Sequence, residues 1–105
     1  IAIAAGCHAL LRLDLSATNA NDDVIGTIAS QLTRLRELDL SSCIRLTDAG
    51  LRSLQHLESL CQLKLGYSNF GDTVKVSPEA LMKLWDARGC EIYSEYGHLH
   101  PSPHM

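Results

Sequence analysis

The chain has 105 residues, a formal net charge of -3, 46% hydrophobic residues and 20% charged residues. This composition suits one folded domain and argues against disorder of the chain as a whole. The charges form no Lys/Arg run, which removes the electrostatic footprint of nucleic-acid binding or of attachment to an acidic membrane.

The chain opens on the apolar segment Ile1–Ala5, ended by Gly6-Cys7-His8. It is far shorter than the ~20 residues of a spanning helix. No basic region precedes it, so it does not read as a signal peptide. Ile1 is expected to be a boundary inside a longer protein, because the sequence begins partway through a helical pattern.

From Leu10 onward the chain is organised by repetition. Leu10-x-x-Leu13-x-Leu15 returns as Leu35-x-x-Leu38-x-Leu40 and as Leu60-x-x-Leu63-x-Leu65, each step being 25 residues. Thr18, Cys43 and Ser68 share the period. In each copy the Leu-x-Leu alternation predicts a short strand with leucines on one face and polar residues on the other. The Thr18/Cys43/Ser68 column is expected to turn inward and bond to the backbone of an adjacent coil.

A helix is expected after each strand. In the first copy it begins at Asp22-Asp23 and is lined by Ile25, Ile28 and Leu32. In the second, Thr47-Asp48 are the cap candidates and Leu51, Leu54 and Leu57 face inward. In the third, Ser77-Pro78-Glu79 supplies a capping Ser, a Pro at the first helical position and an acid in the first turn. Leu81, Leu84 and Trp85 then face the core. The third connection, "YSNFGDTVKVS", is longer than the others by about five residues, as terminal repeats often are. Gly89–Tyr93 reads as a closing strand with Ile92 inward. Residues 94–105 are polar and read as a C-terminal tail with little structure of its own. No strand–helix unit can bury both apolar faces alone, whereas stacked units can.

The run "GCHALLRLDLS", followed by "LRELDLSSCIRLTDAGLRSL", resembles the cysteine-containing leucine-rich repeats. Those repeats are best known from F-box proteins that select substrates for cullin-type ubiquitin ligases. Their pattern, C-x-x-L-x-x-L-x-L-x-x-C followed by a leucine, a Thr-Asp step and helical leucines, is matched most fully by residues 35–57. The resemblance covers residues 1–93. It departs at Thr18 and Ser68, where the fullest repeats have Cys or Asn, and at Leu32 and Leu57, which replace the junction Cys. It implies an α/β fold, a right-handed leucine-rich-repeat solenoid of ribonuclease-inhibitor type, with parallel strands on a concave face and helices on a convex one. It also implies upstream repeats covering the edge at Leu10, Leu13 and Leu15, with any F-box before them and the true C-terminus present.

Other chemistry finds little support. Cys7, Cys43, Cys61 and Cys90 form no CxxC pair, and they are expected to be reduced and buried, with Cys7 and Cys90 packed at helix ends and Cys61 given no role. His98, His100 and His104 lie among prolines without a carboxylate or thiol at fixed spacing, so a metal is not expected. His8 and His56 read as surface positions. Neither a phosphate loop nor a nucleophile elbow is present, so no cofactor and no enzyme activity are expected.

The candidate site is the outward side of the strands: Arg12, Asp14, Ser16; Glu37, Asp39, Ser41; and Gln62, Lys64, Gly66. Stacking would align Asp14, Asp39 and Lys64 in one column, with neighbours about 5 Å apart. Tyr67 and Phe70, on the long third connection, are the candidate aromatic anchors. The expected partner is a protein on the concave face, and a ligase adaptor could be reached only through an upstream F-box. The expected location is intracellular, cytoplasmic or nuclear. Three functions fit this reading: substrate recognition in an F-box ubiquitin ligase, a scaffold or assembly factor without ligase function, and an inhibitor-type binder similar to ribonuclease inhibitor. The last has longer alternating repeats and more cysteines than this chain.

Overall fold

Each Leu-x-Leu centre becomes a three-residue strand, and each strand is followed by a helix. A computed structural model describes residues 9–66, 76–94 and 96–101 of the chain. Its elements, in order, are β1 (Arg12–Asp14), α1 (Asp22–Gln31), β2 (Glu37–Asp39), α2 (Asp48–Leu54), β3 (Gln62–Lys64), α3 (Pro78–Arg88), β4 (Glu91–Ser94) and β5 (Gly97–Leu99). The five strands form one sheet in sequential order; β1 to β4 are parallel and β5 joins β4 antiparallel. The described residues form an α/β domain with a mostly parallel sheet and three helices, and α1 packs on α2 and α2 on α3.

The register follows the 25-residue step from β1 to β3 and a 29-residue step from β3 to β4. Leu13 pairs with Leu38, Leu38 with Leu63, and Leu63 with Ile92. Parallel pairing in register keeps side-chain direction constant, so these residues point to the same side. There they meet Ile25, Ile28, Leu51, Leu54, Leu81 and Leu84 from the helices in one core. Leu32 and Leu57 lie just beyond α1 and α2 and are fully buried.

The helices start where the side chains can cap them. Asn21, Thr47 and Ser77 each accept a backbone N–H of the first turn, and Pro78 opens α3. The same termini also link neighbouring units. Asp22 of α1 accepts the Thr47 backbone N–H at 2.8 Å and the Thr47 hydroxyl, while Asp48 of α2 accepts the Ser77 N–H at 2.8 Å. The acid at the head of α1 and that at the head of α2 thus each satisfy the orphan N–H of the next cap residue. The Ser77 bonds hold the Asp48 carboxyl below its ordinary value of 3.8.

Three expectations need correction. Thr18 is exposed and donates to Leu15 of its own unit at 2.7 Å, so it does not turn inward as Cys43 does. Cys61 is exposed, because it lies in the connection between Leu60 and β3, before the strand alternation begins. Residue 94 and residues 96–101 are not an unstructured tail. β5 pairs with the edge of β4, Trp85 Nε1 donates to the His100 carbonyl at 2.7 Å, and the Tyr96 hydroxyl donates to the Val76 carbonyl at 3.0 Å. An unpaired strand edge is a row of unmet donors and acceptors, and β5 meets them. Ser68, like Cys7, His8 and His104, lies outside the described residues. No helix among the described residues is long and apolar enough to cross a membrane.

Candidate functional site

Leu13, Leu38, Leu63 and Ile92 commit one side of the sheet to the helices, which leaves the residues flanking them on the other side. The pairing sets those residues in two columns. Arg12, Glu37, Gln62 and Glu91 form the first; Asp14, Asp39, Lys64 and Tyr93 form the second. The columns border a concavity of about 270 Å³, and a second of about 320 Å³ opens beside Ser41, Gln62, Lys64, Gly66 and Tyr93. Eight sequence candidates, Arg12, Asp14, Ser16, Glu37, Asp39, Ser41, Gln62 and Lys64, therefore share one face or the turns that end its strands. Tyr67 and Phe70 lie outside the described residues.

The first column is largely self-satisfied. Arg12 Nε sits 2.6 Å from Glu37 Oε2. Gln62 Nε2 donates to Glu91 Oε1 at 2.9 Å, and His98 Nε2 lies 2.8 Å from Glu91 Oε2. The Gln62 bond first, and the His98 bond second, hold the Glu91 carboxyl below its ordinary value of 4.5. His98 comes from β5, directly opposite Tyr93, and the two rings stack with centroids 4.2 Å apart and planes 9° from parallel. His100 packs against His98, its ring centroid also 4.2 Å away.

The second column carries the less compensated charge. Asp14 Oδ1 accepts the backbone N–H and hydroxyl of Ser16, at 2.8 and 2.6 Å. Those bonds hold the Asp14 carboxyl below its ordinary 3.8, and the charge of Lys64 adds to the effect. Asp39 Oδ1 accepts the Ser41 N–H at 2.9 Å in the same way. Each aspartate thus closes the turn after its strand with one oxygen. Among the described residues no carboxylate lies within ion-pair distance of Lys64.

Glu91, Tyr93, His98 and His100 are the members of this face that did not stand among the sequence candidates. Ile92 inward already implied that Glu91 and Tyr93 point outward; nothing in the spacing announced the histidines. They gather no metal-binding group of three His, Cys, Asp or Glu among the described residues. Cys43 and Cys90 are placed for packing. Cys43 is buried and donates to the Leu15 carbonyl of the preceding unit at 3.0 Å, and burial pushes the Cys90 thiol up to about 11.

No family model matches the chain, and no curated protein matches it.

Proposed function

We propose that this chain is a protein-binding segment of a leucine-rich-repeat solenoid, of the type that recognises substrates in F-box ubiquitin ligases. The observation that carries the reading is the 25-residue step realised as a parallel strand ladder, with one side buried under helices and the other left polar and concave. The Cys43 thiol bonding the preceding coil supports the cysteine-containing repeat type in particular. Such a face binds by presenting fixed side chains, and catalysis is assigned elsewhere. The ligase assignment rests on the sequence resemblance. A scaffold or assembly role uses the same face and differs only in what accompanies it.

Affinity capture of the natural full-length protein, probed for the F-box adaptor and its cullin, tests the assignment. Stoichiometric recovery of both is expected. A stable complex lacking both would replace the ligase reading with the scaffold reading. Capture that is indifferent to charge reversal at Asp39 and Lys64 would remove the binding face itself.

A further inference from the structure

Resting on the binding-face reading, we infer that this face selects an extended peptide segment carrying a basic residue and an acidic residue two positions apart. The basis is which charges the fold has already paired. Arg12 is engaged by Glu37, and Glu91 by Gln62 and His98. That removes the first column as a source of unmet charge. In the second column the order across the sheet is Asp14, Asp39, Lys64, then Tyr93 stacked on His98. Each aspartate spends one oxygen, Oδ1, on its own turn. Among the described residues nothing donates to the Oδ2 atoms and no carboxylate pairs with the Lys64 ammonium, which leaves them to accept from a cation and to donate to an anion.

The spacing sets the ligand. Strands lie about 4.8 Å apart, so the midpoint of Asp14 and Asp39 is about 7 Å from Lys64. An extended chain crossing the strands rises about 3.3 Å per residue, and residues two apart point to the same side about 7 Å from one another. A basic side chain between the two aspartates therefore places a carboxylate two residues away over Lys64. Adjacent residues would point to opposite sides and meet only one of the two charges. Ser41 and Gln62 border the concavity at Lys64 and add hydrogen-bonding groups beside the incoming carboxylate.

Three acetylated, amidated peptides of otherwise identical alternating sequence test this, carrying Arg-x-Glu, Arg-x-Arg or Glu-x-Glu. They are titrated into the isotope-labelled chain at low ionic strength and followed by NMR. Arg-x-Glu is expected to bind roughly five-fold more tightly than either like-charged peptide, the effect of two exposed charge pairs. Its shifts should centre on Asp14, Asp39, Ser41 and Lys64. In Lys64→Glu, shown to be folded by its retained amide dispersion, the ranking should change to favour Arg-x-Arg. Equal binding of the three peptides, or an unchanged ranking in Lys64→Glu, would overturn the inference. The binding-face reading is judged separately, since partner capture lost on reversal at Asp39 and Lys64 would sustain it with no peptide ranking at all.

Discussion

Gly26 and Gly50 lie in α1 and α2, yet an added β-carbon would meet opposite surroundings. At Gly26 nothing lies within 4 Å, so Gly26→Ala should raise stability by about 0.5–1 kcal/mol through helix propensity. At Gly50 it would stand 2.3 Å from Leu46 Cδ1 and 2.5 Å from Asp22 Oδ1. That oxygen already accepts the Thr47 N–H, so relieving the clash disturbs the bond joining the two helices. Overpacking costs about 1–3 kcal/mol, which exceeds the propensity gain, so Gly50→Ala should lower stability. Urea unfolding of the two variants, expected to shift in opposite directions, checks the pair. Ser42 poses a related case. Its φ of 63° is left-handed backbone, and Ser42→Gly should stabilise the turn by about 1 kcal/mol, read as a raised Tm. The leucine spacing carried no sign of these positions. Whether a glycine is free or crowded depends on the neighbouring unit, and a left-handed residue need not be Gly.

The elements owe their position to what joins them. Helix starts were legible from Asp22-Asp23, Thr47 and Ser77-Pro78, because caps and first-turn acids act within their own turn. The bonds from Asp22 to Thr47 and from Asp48 to Ser77 were not, since they link residues a full repeat apart. Replacing Asp48 by Ala should cost about 1 kcal/mol, the net worth of a largely solvated charge-assisted bond. Asp48→Asn, which keeps an acceptor, should cost less. The carboxyls of Asp48, Asp14 and Glu91 all titrate below their ordinary values in the fold. A folded pKa below the unfolded one gives stability that is complete above the ordinary carboxylate range and lost as pH falls through the folded pKa. Thermal midpoints should therefore drop on acidification below about pH 4, and Asp48→Asn should flatten that drop. β5 illustrates the limit of the sequence reading in the other direction. Gly97-His98-Leu99 has too little alternation to announce a strand. It forms because β4 offers an open edge and Trp85 and Tyr96 fasten the residues around it.

Across the whole molecule, the column of inward residues is graded. Leu38 is 2% exposed and Leu63 and Ile92 are fully buried, while Leu13 is only partly buried at the β1 edge. Leu38→Ala should cost about 2–5 kcal/mol, and Leu13→Ala clearly less, because a half-covered side chain leaves a smaller cavity. Equal losses in equilibrium unfolding would contradict a stack in which each unit is covered by its neighbours. The 25-residue step was enough to place Asp14, Asp39 and Lys64 in one column, since parallel strands in register repeat side-chain direction. It could not bring in Glu91 or Tyr93, because the longer connection after β3 moves the next strand out of period: Lys64 pairs with Tyr93, 29 residues on. The proposed function stands or falls on the polar face being the one that binds. Its most direct test compares partner capture by two doubly reversed chains of unchanged circular dichroism. One carries Asp39→Lys and Lys64→Glu on the sheet; the other carries Glu79→Lys and Lys83→Glu on exposed positions of α3. The sheet variant should lose the protein partners recovered by the unaltered chain, and the helix variant should keep them. Retention by the sheet variant with loss by the helix variant would contradict the account.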